Sequence, residues 1–178
     1  RSRYAENNEK CKILKEAGHP APVFNMAYYL IIIAVIIFDR IVKHIVSSQM
    51  IVGETIPVIE DMFHITYVQN RGAAFSIMEG QWIFIILIPA VLMAAILVVL
   101  FIMRKKWDPL MRSSLAFICG GGIGNLLDRI SQGYVVDMFD FRVFPVFNIA
   151  DIFICAGCGL LILSVWLSER KSVKNDVQ

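Results

Sequence analysis

Four stretches of this chain are apolar for close to the thickness of a bilayer, and the polar residues that interrupt them fall near their ends. The first covers about 26–46 and is broken late by Asp39, Arg40, Lys43 and His44. The second, 82–103, contains Pro89, which a membrane helix absorbs as a kink. The third, 111–130, carries Gly120, Gly121, Gly122 and Gly124, and the fourth covers 149–167. Each approaches the roughly 20 residues that a helix needs to cross hydrocarbon. The pattern predicts a four-transmembrane-helix bundle.

Between the first two stretches, 47–81 is too long for a simple turn. Its pieces Ile56-Pro57-Val58-Ile59 and Met62-Phe63-His64-Ile65-Thr66-Tyr67-Val68 are β-branched and aromatic with polar residues interleaved, a strand signature. The segment 134–147 has the same character. A small β-sheet on the outer leaflet is expected, with the second segment joining it. The first 25 residues are polar and read as a cytoplasmic leader or a cloning remnant, with Met26 a plausible original start. No small-residue cleavage site follows the first apolar stretch, so it is not expected to be a removable signal.

Composition narrows the class. The chain is 57% hydrophobic and 18% charged, neither an ordinary soluble domain nor a disordered one. A net charge of +2 is too small to point to nucleic acid. The basic residues cluster instead: Arg104, Lys105, Lys106 and Arg112 after the second stretch, Arg170, Lys171 and Lys174 in the tail from 170, and Arg1, Arg3, Lys10, Lys12 and Lys15 in the leader. The other two connections carry Glu54, Glu60, Asp61, Glu79, Asp137 and Asp140. Lysine and arginine bias in short loops sets orientation, so both termini are expected in the cytoplasm and both acidic connections outside.

Against that background the carboxylates stand out. A charge at the centre of a membrane helix costs roughly 2.5–3.5 kcal/mol on insertion scales. Asp137 follows Val135-Val136 just beyond the third stretch, and Asp151 falls in the first turn of the fourth. The connection between them, with Pro145, can fold the two together. Paired carboxylates that share one proton perform aspartyl proteolysis: the ionised one activates water and the protonated one donates to the scissile carbonyl. Spacing alone equally allows two unrelated interfacial acids.

Other polar residues occupy equally apolar surroundings. Asn125, Asp128 and Arg129 share one face of the third helix by their i, i+3, i+4 spacing. Asp128 is assigned to structural hydrogen bonding that fixes helix register, while Arg129 can serve either structure or chemistry. Asp39 and Lys43 are spaced i, i+4, which also suits a snorkelling pair at the interface. The glycine run lacks the Lys-Ser/Thr of a phosphate loop and is read as close helix packing, as is Cys155-x-x-Cys158. Cys11 lies on the cytoplasmic side of this topology, so no disulfide framework is expected.

Together these motifs resemble the bacterial lipoprotein signal peptidases, also called signal peptidase II. The matching elements are Asp39-x-x-x-Lys43, Asn70-x-Gly72-Ala73-Ala74-Phe75, Gly121-x-x-Gly124-Asn125-x-x-Asp128-Arg129, Val135-Val136-Asp137 and Phe147-Asn148-x-Ala150-Asp151. Each is weak alone, and five in order are specific. The resemblance implies an intramembrane aspartyl endopeptidase of the bacterial cytoplasmic membrane. Such an enzyme acts on prolipoproteins after a diacylglyceryl group is attached to their cysteine, and cuts just before that cysteine. By the same match Asp137 and Asp151 are the catalytic dyad. Asn70, Gly72, Asn125, Arg129 and Asn148 line the site, and Asp39 and Lys43 support it. No metal or organic cofactor is implied. The expected partners are lipidated prolipoproteins and membrane lipids, acting on a monomer, and the family is the target of globomycin. Arg40 stands where many members have glutamine, and Arg71 fills a variable position.

Two other classes remain open on the sequence. A proton-coupled membrane transporter also uses intramembrane carboxylates, but usually with more helices and an internal repeat, which this chain lacks. A membrane assembly factor would explain the helices but not the buried asparagines.

Overall fold

The computed structural model describes residues 23–72, 82–102 and 108–176. The leader expected over 1–25 falls almost wholly outside them, as do Ala73-Ala74-Phe75 and most of the basic loop after the second apolar stretch.

Among the described residues, four helices and three strands follow one another as α1 (Val23–Gln49), β1 (Thr55–Ile59), β2 (Phe63–Asn70), α2 (Trp82–Ile102), α3 (Pro109–Gln132), β3 (Val135–Asp140) and α4 (Ile149–Asp176). Three helices among the described residues are long and apolar enough to cross a membrane: Phe84–Ile102, Pro109–Gln132 and Ile149–Arg170. The protein is mostly helical, with the small three-stranded sheet the sequence called for.

α3 is the axis of the bundle, packing on all three other helices. It starts sharply because Asp108 accepts from Leu110 N–H at 3.1 Å and Pro109 occupies the first turn, where a missing N–H costs nothing. It ends at Gly133, whose φ of 78° suits the left-handed cap that returns its N–H to Arg129 O. Between these caps the glycine run puts a contact on each neighbour. A β-carbon on Gly120 would meet Val35 of α1, on Gly122 the Met93 sulfur of α2, and on Gly121 the Ala150 carbonyl of α4. A buried cluster of Tyr28, Ile32, Met93, Leu100, Ala116 and Cys119 fills the space between α1, α2 and α3.

The α3–α4 contact is the tightest, and Gly157 of α4 fits against Ser114 O and Ile118. Packing within Cys155-x-x-Cys158 therefore comes from the glycine, and both cysteines point away from the bundle. At Gly121 an added β-carbon would lie 2.4 Å from the Ala150 carbonyl oxygen, which belongs to the backbone and cannot turn aside. Gly121→Ala is therefore expected to destabilise by about 1–3 kcal/mol, the usual cost of overpacking. Gly159→Ala, with nothing within 4 Å, should be neutral or slightly stabilising. Thermal midpoints of the two variants in one detergent check this; equal midpoints would count against the close approach.

The sheet order is β1-β2-β3, antiparallel throughout. The β1–β2 turn closes with Met62 N–H on Ile59 O and places Asp61 at φ 58°, a conformation aspartate tolerates. Val46 and Met50 at the end of α1 pack with Tyr67, Val136 and Met138, which seats the sheet on the helices.

Candidate active site

The polar residues gather at one end of the bundle, where α1 and α3 finish, α4 begins and the sheet sits. α4 opens with a reciprocal cap. Asp151 N–H donates to Asn148 Oδ1 at 3.0 Å, and Asn148 N–H donates to Asp151 Oδ2 at 3.2 Å. That is capping-box geometry with aspartate at the third helical position. It holds Asp151 in the first turn, where the helix dipole favours negative charge.

The Asn148 amide then reaches outward. Its Nδ2 donates to Asp137 Oδ1 at 2.6 Å and to Asn125 Oδ1 at 3.1 Å. Asn125 in turn donates through Nδ2 to Asp151 Oδ1 at 2.8 Å. One asparagine thus touches both aspartates, and a second closes the ring from α3. On the far side Asn70, at the end of β2, donates to Asp137 Oδ2 at 2.9 Å. Gly72, at φ 92°, turns the chain so that its N–H meets Asn70 Oδ1 at 2.8 Å. This fixes the Asn70 amide with its NH₂ group toward Asp137.

Asp137 is 1% exposed, held in β3 between the sheet and the helices. Burial pushes its carboxyl up to about 6. The donors from Asn70 and Asn148 pull the other way, the Asp151 charge adds to the rise, and the Lys43 charge opposes it.

Behind this ring lies a buried ionic cluster. Lys43 Nζ sits 2.8 Å from Asp39 Oδ2 and 2.9 Å from Asp128 Oδ2, and donates to Asn125 Oδ1 at 2.8 Å. Asp39 Oδ1 accepts from Ala150 N–H at 2.9 Å, tying α1 to the start of α4. Gly124 leaves the room for this, since a β-carbon there would lie 2.7 Å from Asp39 Oδ2. Asp128 also accepts from Arg40 Nη1 and, at 3.4 Å, from Val136 N–H beside Asp137.

The structure brings Asp39, Lys43, Asn70, Gly72, Asn125, Asp128, Asp137, Asn148 and Asp151 into one network. Arg129 is half-buried beside it, electrostatically coupled to Asp151, Asp137 and Asp128 but making no ion pair with them among the described residues. With Asn70, Arg71, Ile85, Ile86 and Gly133 it lines a cleft of about 200 Å³. Sequence reasoning treated Arg40 as mere family variation, yet it is a direct partner of Asp128. The available signal was its place one residue after Asp39, inside an apolar helix where a charged side chain calls for an opposite charge nearby.

Two carboxylates joined through buried asparagines, at the end of an apolar helical body, form an arrangement able to share and pass one proton. The family model described as Signal peptidase (SPase) II matches residues 31–167. The lipoprotein signal peptidase of Halothermothrix orenii is 44% identical over 142 residues, covering 80% of this chain and 97% of that protein. That of Brevibacillus brevis is 42% identical over 149 residues, covering 83% and 99%. A solved bacterial membrane enzyme, determined by the in meso method at 2.3 Å resolution, superposes with a TM-score of 0.71 at 30% identity, covering 80% of this chain and 89% of its own. The chain belongs to the signal peptidase II family of lipoprotein signal peptidases. It is a peptidase acting on prolipoproteins, and the transporter alternative finds no support.

Proposed function

We propose that this peptidase cuts diacylglyceryl-modified prolipoproteins just before the lipidated cysteine, with Asp137 and Asp151 as its catalytic pair. The observation that carries the reading is the Asn148 amide, bonded to Asp137 by its side chain and to Asp151 by its backbone. Asp137, raised by burial, holds the shared proton. Asp151 takes a proton from water as the water oxygen attacks the carbonyl carbon, and Asp137 gives its proton to the carbonyl oxygen. Collapse then breaks the C–N bond, the leaving amine takes the proton from Asp151, and Asp137 recovers its own. Arg129, beside both carboxylates and facing the cleft, is positioned to steady the oxygen as charge builds on it.

We read α1 as a fourth span. Asp39 and Lys43 are buried and paired inside the bundle, and Arg40 reaches Asp128, so none need face lipid as a lone charge. Both termini then lie in the cytoplasm, the enzyme works as a monomer in the cytoplasmic membrane, and the sheet and dyad stand at its outer face. A diacylated cysteine reaches that depth only sideways through the lipid. Its acyl chains leave one oil for another and so contribute placement more than affinity, an effect that appears in turnover.

The test is steady-state cleavage of one prolipoprotein, with and without the diacylglyceryl group, by purified protein in detergent. Mass spectrometry should find the cut before the cysteine, with the unmodified substrate turned over on the order of tens of times more slowly. Equal rates would mean the lipid is not read.

The pH profile provides a second test. A carboxyl raised to about 6 keeps its proton below that pH and loses it above. Because the reaction needs that proton, kcat/KM of the free enzyme should fall as pH rises through this region. The Asn70 donor favours the ionised form, so Asn70→Ala should move the falling limb to higher pH. A limb that stays in place would detach Asp137 from the titration.

A further inference from the structure

The connection from Asp137 to Asn148 carries a feature that the chemistry above leaves unused. After β3 the chain runs Phe141-Arg142-Val143-Phe144-Pro145-Val146-Phe147, and its tip is apolar and bare: Val143 is 94% exposed and Phe144 63%. Soluble loop tips are usually polar, and adjacent aliphatic and aromatic side chains at the most exposed point of a turn need a reason.

The tip is also held rigidly. Arg142 adopts φ 64°, a left-handed conformation that is costly for a side chain of its size. The Asp140 carboxylate sustains it twice, accepting the Arg142 N–H at 2.8 Å and its guanidinium at 3.1 Å, while Thr66 Oγ1 donates to Asp140 Oδ2 at 2.9 Å. From below, Phe147 is fastened to β3 by Met138 and Phe139 N–H groups on its carbonyl. Phe141 stacks on the Phe147 ring at 5.8 Å and Phe144 meets it edge-on at 6.1 Å. A rigid support under two exposed apolar side chains describes a wedge.

We propose that Val143 and Phe144 insert into the acyl region of the outer leaflet and set the depth of the Asp137–Asn148–Asp151 group relative to the lipid. Continuity names the occupant as lipid, on the outer-face placement proposed above. Four residues after Asn148 the lipid-facing surface of α4 begins with Ile152, itself exposed, and on α1 Phe38, Ile41 and Ile45 are exposed at the same end of the bundle. Arg142, half-exposed beside the tip, is placed as a basic rim residue at headgroup level. An aromatic at the boundary with a cation next to it is the usual composition of an interfacial anchor.

The experiment places a nitroxide on Val143→Cys in a background where Cys11, Cys155 and Cys158 are replaced by alanine. Cys119 is fully buried and can stay. In bilayers of phosphatidylglycerol and phosphatidylethanolamine, the label should collide with oxygen in preference to a water-soluble nickel chelate, as a label at the lipid-facing position of Ile162 does. A label as open to nickel as one at Glu60 overturns the wedge, and this readout does not depend on which bond the enzyme cuts. A paired measurement uses Val143→Glu with Phe144→Glu. Turnover of lipidated substrate should fall about tenfold or more in bilayers yet stay within about threefold of wild type in detergent, where no fixed interface exists to be missed. Losses of equal size in both media would assign the tip to substrate contact or to folding, and no loss in bilayers would leave it without a depth role; either overturns the proposal.

Discussion

Asp137→Asn and Asp151→Asn are each expected to lower cleavage of lipidated prolipoprotein by about a thousandfold or more, leaving the protein folded and inserted. Asparagine keeps the shape and one acceptor oxygen of each side chain, so each position retains one of its two donors: Asn70 or the Asn148 side chain at 137, and Asn125 or the Asn148 N–H at 151. What disappears is the ability to exchange a proton. In Asp137→Asn nothing remains to protonate the carbonyl oxygen, and in Asp151→Asn nothing deprotonates the water. In the proposed mechanism the two act as one unit, so the double variant should be scarcely slower than either single one. A multiplicative loss would mean that the residues work independently. Near wild-type turnover by a variant with an unchanged melting profile would remove that residue from the pair.

Much of this site could be read from residue types because the chain is so apolar. In a sequence where leucine, isoleucine and valine dominate, Asp39, Asn125, Asp128, Asp137 and Asp151 have no solvent to explain them, so their mere presence is a signal. The strands were legible for a similar reason: β-branched runs between helices have few other uses, and β1 and β2 fall within a residue or two of where those runs lie. Helix ends were harder to read. Hydropathy marks where the lipid-compatible part stops, whereas α4 continues through Arg170 to Asp176 in charged sequence that a helix accommodates once it leaves the bilayer. The start of α3 at Pro109 was written in Asp108-Pro109, a capping signal that the apolar pattern alone passes over.

Partnerships were the least legible. Asp128 lies next to Arg129 in sequence, but consecutive helical residues point about 100° apart, and Asp128 turns to Arg40 and Lys43 on α1 instead. That choice depends on how α1 is rotated against α3, which the glycine contacts on Val35 and Asp39 decide and no local pattern encodes. The double engagement of Asn148 was hidden for the same reason. Its cap to Asp151 is local and follows from spacing, while its bond to Asp137 depends on β3 pairing with β2.

Lys43→Met is expected to be the most damaging change outside the proposed dyad. The ammonium is 3% exposed and serves Asp39, Asp128 and Asn125 at once. Removing it leaves Asp39 buried without a cation, and breaking one partner of a buried pair typically costs about 3–5 kcal/mol. The thermal midpoint in detergent should therefore fall steeply. Adding Asp39→Asn removes the stranded charge, keeps an acceptor for the Ala150 N–H, and leaves the Arg40–Asp128 pair intact. The double variant should thus melt higher than Lys43→Met alone, whereas costs that simply add would argue against a shared ionic cluster. Activity should not return with stability. Lys43 is the closer of two donors on Asn125 Oδ1, the other being Asn148 Nδ2, and together they leave the Asn125 Nδ2 to face Asp151. Without the ammonium the Asn125 oxygen is held by Asn148 alone, so the amide that donates to the proposed base is less firmly placed. A double variant recovering both fold and full turnover would confine Lys43 to holding the helices together. Recovery of the fold alone, with turnover still low, would make it the residue that sets the orientation of the catalytic amides.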